Sequence, residues 1–359
     1  MADVQPFRAV RYDVGKAGPL EHLVAPPYDV ISPAEREHYQ ARSPHNVVHL
    51  TLPDSEDEAA GRWRDWQTEG VVVRDEEPSC WGLTQDYVGP DGVARTRTGL
   101  VCALRAEPYE AGVVLPHERT HRGPKEGRLR LLRALRAHVE PIFLLYDGPA
   151  PFSVRDGAPD VDVEGNRLWR LDEGAIGDVF ADGRLLIADG HHRYETALAF
   201  HAEDGTPESA YLLAVLVSTS DPGVTIFPTH RVFARSPDGR WDGSRERDPE
   251  TALRKLAELP SERAAAVQYA HGETVLATGD EGILDVQLVD RLGHEGIAYT
   301  PDWREAVRRV DAGEADVAYL VRPPRIEQVF AAAARGEVLP QKTTYFYPKL
   351  LSGLLFLPL

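Results

Sequence analysis

One stretch constrains this chain more than any other: Leu185-Leu186-Ile187-Ala188-Asp189-Gly190-His191-His192-Arg193-Tyr194-Glu195-Thr196-Ala197-Leu198-Ala199. Its four leading apolar residues, Leu185 to Ala188, read as a buried strand. From Glu195 onward, Ala197, Leu198 and Phe200 mark the apolar side of a helix. Between them stand a carboxylate, a glycine, two imidazoles and a guanidinium. The first turn of a helix leaves N–H groups unpaired and carries partial positive charge, so this junction is a natural anion site. Gly190 lets the backbone approach a ligand closely, and Arg193 offers a planar fork that matches phosphate. Two adjacent histidines between Asp189 and Arg193 exceed what a solvated connection needs.

Upstream, Pro26-Pro27-Tyr28-Asp29-Val30 forces an extended path that ends in a rigid turn, and Ser32-Pro33 opens a helix. Val47 to Leu52 reads as a strand. Ser55 to Glu69 reads as a helix with Trp63 and Trp66 on its core face. Cys80 to Val88 and Thr96 to Arg105 flank Gly89-Pro90-Asp91-Gly92, which predicts a hairpin. Its only two cysteines, Cys80 and Cys102, fall opposite each other in one register. They lack metal-type spacing, and packed reduced thiols are expected.

The segment 113–128 then crowds His117, Glu118, Arg119, His121, Arg122, Lys125 and Glu126 into one loop ahead of a helix over 129–138. A mixture of His, Glu, Arg and Lys after a proline is site-like. Further strands are expected over 141–146, 168–171 and 211–219, with a short helix over 172–180. His230 and Arg231 stand at another strand end. Residues 236–249 are the best linker, so the expected organisation is a unit over 1–235 with the hairpin inserted and an α/β lobe over 250–359.

The chain ends on Gln341-Lys342-Thr343-Thr344-Tyr345-Phe346-Tyr347-Pro348-Lys349 and then an apolar run. An apolar end must dock, which places Lys342 and Thr343 against the body. Only five of the 40 basic residues are lysine, and three of them, Lys125, Lys342 and Lys349, fall in these polar clusters. Where arginine is used almost everywhere, a retained lysine points to a need for a compact ammonium. The net charge of -17 argues against nucleic acid or anionic membranes as general partners. No apolar run is long enough to span a bilayer, and a cytoplasmic location is expected.

Three motifs together carry a resemblance: Asp189-Gly190-His191-His192-Arg193-Tyr194-Glu195-Thr196-Ala197, Pro340 to Lys349, and Pro26 to Val30. The chain resembles, over essentially its whole length, a prokaryotic domain-of-unknown-function family placed in the ParB/sulfiredoxin superfamily and related to free-serine kinases. The resemblance implies an α+β fold with a ParB/sulfiredoxin-like nucleotide-binding core, to which this chain adds its C-terminal lobe. It implies that the turn at Gly190 to Arg193 holds a nucleotide's phosphates, and that a glutamate in a His-Glu element acts as base, here Glu118 after His117. His191 stands where sulfiredoxins carry their catalytic cysteine, which argues against that chemistry.

The expectation is therefore phosphoryl transfer from ATP, ADP or pyrophosphate, with Mg²⁺, to a small hydroxylated metabolite, with free L-serine the best match. Glu118 is the expected base, Asp29 the second candidate, and His191 a further catalytic group. Asp189, Gly190, His191, His192, Arg193, Lys125, Arg231, Lys342 and Thr343 are expected to hold the donor. His117, Arg119, Tyr28 and His230 are expected to face the acceptor, and Asp189 to meet the metal. The alternatives are a CTP- or ATP-binding switch without turnover, and a phosphohydrolase with metal on His191 and His192.

Overall fold

A computed structural model describes the chain except residues 1, 119–121, 154–156, 172–175, 177–179, 181–182 and 238–240, and the side chains of 122–124. Arg119 and most of the expected helix over 172–180 lie outside the described residues.

The fold is mixed α/β around one large sheet. Its strands are β1 (Val4–Gln5), β2 (Trp81–Val88), β3 (Ala94–Arg105), β4 (Val114–Leu115), β5 (Ile142–Tyr146), β6 (Val161–Val163), β7 (Asn166–Arg170), β8 (Leu185–Asp189) and β9 (Tyr211–Ser218). They run in the order β4-β8-β5-β9-β3-β2-β7-β6, with β1 on β3. The pairs β4–β8 and β5–β9 are parallel and the rest antiparallel. The hairpin register sets Trp81 against Val101. Cys80 and Cys102 are free and buried, and burial pushes the Cys80 thiol up to about 11.

Strand alternation decides what covers each face of this sheet. Leu185 and Ile187 point to one side, where Tyr194 and Ala197 of the helix His191–Asp204 join them. Leu186 and Ala188 point to the other side, against Leu339, Phe346, Leu350 and Leu355 of the C-terminal segment and Val329 of the helix Ile326–Ala334. The end of β8 is therefore flanked by a helix on one face and the chain's last segment on the other. That segment continues to Leu357–Pro358, paired with Ala137–His138.

A second sheet contains β10 (His230–Phe233), β11 (Ser244–Glu246), β12 (Arg263–Ala270), β13 (Glu273–Glu281), β14 (Ile297–Thr300) and β15 (Val317–Leu320), in the order β11-β13-β12-β15-β10-β14. Part of the expected linker is thus an edge strand of this sheet.

Two helices near the large sheet matter below: α1 (Arg122–Leu135) and α2 (His191–Asp204). Both begin earlier than the apolar pattern predicts. Val48–Thr51 is helical where a strand was expected. The Asn46 side chain accepts the Val48 amide at 3.0 Å and so favours a helical start over an extended one. Trp63 and Trp66 are core residues packed with Phe356. No helix among the described residues is long and apolar enough to cross a membrane.

Candidate functional site

The β8–α2 junction opens into a cleft of about 280 Å³. Ala188 to Arg193 form one wall. Tyr28 to Val30, Glu118, Thr229, Tyr299 to Pro301 and the C-terminal Gln341, Lys342, Thr344, Tyr345 and Lys349 form the others.

The junction itself is built by backbone geometry. The β8–β5 register shifts between Ile187 and Asp189, a bulge that re-aims the Asp189 side chain. Gly190 follows in the left-handed region, φ +99°, and caps α2. A Cβ at this position would lie 2.8 Å from Ile142 Cγ2, so only glycine makes this turn without strain.

Asp189 organises the charges. Arg193 Nη2 donates to its Oδ2 at 2.7 Å, and Lys349 Nζ donates to its Oδ1. Arg193 also donates to the Pro141 carbonyl. Burial pushes the Asp189 carboxyl up, but Lys349 and Arg193 outweigh it and hold it well below the carboxylate range. Burial works against the charged Lys349 in turn, and Asp189 raises it above the usual lysine value. A carboxylate already shared by two cations does not fit direct coordination of Mg²⁺. Among the described residues no group of three or more His, Cys, Asp or Glu is placed to hold a metal ion.

Glu118 behaves differently. Its side chain is 20% exposed. Desolvation raises its carboxyl to about 7 against the opposing pull of Lys342 and Lys349 and of the Thr343 backbone amide. The Lys342 ammonium has no hydrogen bond or ion pair among the described residues. Its backbone turns at φ +56°. Thr343 itself is buried, and its hydroxyl donates to the Pro340 carbonyl at 2.6 Å.

His117 and His191 are inner supports of the junction. His117 is fully buried, with Nε2 2.9 Å from Thr344 Oγ1. Its backbone amide donates to His191 Nε2 at 3.3 Å, and the two rings meet edge to face at 4.7 Å. An imidazole nitrogen that accepts a hydrogen bond is unprotonated. Burial pushes His117 down to about 4 and His191 well below its ordinary value. His192 lines the cleft.

Other expected site residues stand at or behind the walls. Tyr28 and Asp29 line the cleft from a short 3₁₀ turn, and Arg128 lies 3.8 Å over the Tyr28 ring. Arg231 is buried and donates to the carbonyls of Thr229, Gln341 and Lys342. It braces the Lys342 turn from behind. His230 is buried, its Nδ1 accepting the Val321 amide at 3.2 Å. Lys125 pairs with Glu195 between α1 and α2, outside the residues that line the cleft.

Thr229, Tyr299, Gln341, Thr344, Tyr345 and Lys349 also line the cleft, and none of them was an expected donor, acceptor or catalytic residue. Lysine scarcity singles out Lys349. Nothing local marks Tyr299, which reaches the cleft from the edge strand of the second sheet.

Residues 4–294 match the family described as "Protein of unknown function (DUF1015)". The chain belongs to the DUF1015 family. No curated protein matches its sequence. Among solved structures, a free serine kinase in complex with AMP is 17% identical, with a TM-score of 0.39, over 69% of this chain and 86% of that one. A mutant of that kinase in complex with ADP is 17% identical, TM-score 0.39, over 69% and 87%. SbnI with a C-terminal truncation, from Staphylococcus aureus, is 15% identical, TM-score 0.40, over 70% and 85%. The DUF1015 match ends before Tyr299, Lys342 and Lys349, so this part of the cleft comes from beyond the matched residues.

Proposed function

We propose that this cleft transfers a phosphoryl group from a nucleotide or pyrophosphate to the hydroxyl of a small metabolite, with free L-serine as the acceptor. The observation that carries the reading is Glu118, a carboxyl lifted to about 7 in a cleft that also holds a helix N-terminus and two lysines. A general base works best with a pKa near the working pH, and phosphoryl transfer otherwise needs positioning and charge neutralisation. The acceptor oxygen attacks phosphorus, the bond from phosphorus to the leaving oxygen breaks, and Glu118 takes the hydroxyl proton. The amides of the first turn of α2, with His192 and Arg193, face the donor phosphates. Lys342 neutralises the transferring group. Asp189 holds Arg193 and Lys349 in place. Mg²⁺, which the sequence resemblance implies, would enter on the donor's own phosphates, since Asp189 is taken. The resemblance to free-serine kinases in the Gly190–Arg193 turn and the His117-Glu118 element supports the same reading.

The test is direct. Purified protein is incubated with L-serine, Mg²⁺ and, in turn, ATP, ADP or pyrophosphate, and O-phosphoserine is measured by mass spectrometry. Product with one of the donors, lost in Glu118→Gln, is the expected result. Donor binding without product across a panel of hydroxy acids would overturn it in favour of a nucleotide-binding switch.

A further inference from the structure

A second set of polar side chains lies buried away from the cleft lining. Arg97 of β3 is 1% exposed, and Gln85 of β2 and Asn166 of β7 are buried with it. The Asn166 amide donates to the carbonyls of Val163 and Glu164 at 3.3 and 3.0 Å. Its Oδ1 accepts Gln85 Nε2 at 2.8 Å. That leaves Gln85 Oε1 turned to Arg97, where it accepts from Nε at 3.0 Å and Nη2 at 2.5 Å. The remaining reach of the guanidinium goes to the C-terminal segment: Nη2 to the Pro348 carbonyl at 2.7 Å and Nη1 to that of Tyr347 at 3.5 Å. Its Cζ lies 4.5 Å from the Phe143 ring centre.

Among the described residues no carboxylate pairs directly with Arg97. Asp221, the nearby acid, is held by the amides of Thr98 and Gly223. Burial pulls the guanidinium down to about 10, so it is still charged at neutral pH. A buried cation without a counter-ion costs more than an apolar side chain of the same volume. Sheet packing alone does not call for one. What the charge does secure is two carbonyls immediately ahead of Lys349.

We propose that Arg97 is a positioning residue for the cleft: by holding the carbonyls of Tyr347 and Pro348 it sets the Lys349 ammonium against Asp189. Arg231 does the same for Lys342 through the carbonyls of Gln341 and Lys342. Two buried arginines thus clamp the segment that carries both cleft lysines. The inference takes the cleft from the reading above, but the Lys349–Asp189 contact exists whether or not phosphate is transferred.

Five lysines make the test tractable by NMR of lysine-labelled protein, with Lys349→Arg identifying the Lys349 signal. In Arg97→Met the Lys349 ammonium is expected to titrate at lower pH than in the unaltered protein, while Lys16 and Lys255 do not move. Calorimetry is expected to show pyrophosphate and ADP binding weakened at least about tenfold. Arg97→Lys, which keeps a charge and fewer donors, should fall between. A folded Arg97→Met in which Lys349 titrates unchanged would overturn the proposal. Loss of the fold in both variants would overturn it too, since Arg97 would then serve the core and not Lys349 in particular. If Lys349 shifts as expected but even the unaltered protein binds neither pyrophosphate nor ADP, the positioning role stands and the phosphoryl-transfer reading falls.

Discussion

Asp189 and Lys349 are 160 positions apart in the chain, yet the ammonium of one is bound to a carboxylate oxygen of the other. Arg193 holds the second oxygen. One carboxylate therefore ties the start of α2 to the C-terminal segment. Asp189→Asn leaves two largely buried cations without their shared anion and is expected to cost about 3–5 kcal/mol. Lys349→Met keeps the Asp189–Arg193 pair and should cost less. Urea unfolding at neutral pH measures both, and equal losses would show that Asp189 is not the shared anchor. The Asp189 carboxyl is lowered by folding, so its contribution is present above its unfolded pKa and is lost as the pH falls below it.

Gly190→Ala tests the turn. The substitution forces a Cβ onto a backbone at φ +99° and to within 2.8 Å of Ile142 Cγ2. A loss of about 1–3 kcal/mol is expected from the backbone alone, with more from the contact. Combining it with Ile142→Ala, which removes Cγ2, should recover part of the steric share relative to Ile142→Ala alone and none of the backbone share. Thermal melts of the single and double variants separate the two, and full recovery in the double variant would show that φ carries no cost here.

How far the site was legible follows from what each residue type signals. The strand at Leu185–Asp189 was readable because four apolar residues end abruptly in polar ones. The start of α2 was misplaced to Glu195 because His191, His192 and Arg193 carry no apolar periodicity, although all three are helical. The same masking hid the first turns of α1, which begins at Arg122. Glu118 was readable as a site candidate from its ionisable company, its role as base being only what the resemblance implies. Its raised pKa was not, because that depends on burial by segments more than 200 residues away. Arg231 and His230 were expected to face ligand. Sequence reports that a strand end carries a cation but not which side of the strand that cation takes, and both turn inward. Tyr299 reaches the cleft only through the register of β14 on β10.

The paired rings of His117 and His191 make an acid-sensitive point. Burial lowers both, so each is neutral in the folded protein at pH values where it is already protonated in the unfolded chain. Both stabilising contributions are complete above the ordinary histidine pKa of about 6.5 and fall away as the pH drops below it, that of His117 toward about 4. His191→Asn, which keeps an acceptor without a titrating ring, should flatten that part of the stability profile. Urea unfolding across this range checks it, and an unchanged slope would show that the ring is not buried neutral.

Glu118 has the opposite sign, and this separates its role from the histidines. Folding raises its pKa from 4.5 to about 7, so the folded state binds the extra proton between those values. Stability attributable to this group is present below 4.5 and is lost as the pH rises through about 7. The loss is on the order of 3 kcal/mol when complete. Glu118→Gln keeps the shape without the charge. It should be more stable than the unaltered protein at pH 8 and not at pH 4. If Glu118 is the base, transfer activity should rise with pH through about 7 as the carboxylate forms, and Glu118→Gln should lose roughly 10²–10⁴-fold in rate with donor binding kept. A Glu118→Gln variant stabilised at pH 8 yet fully active would keep the partly buried, raised carboxyl and remove it from the chemistry. A variant with neither effect would show that Glu118 is simply solvated.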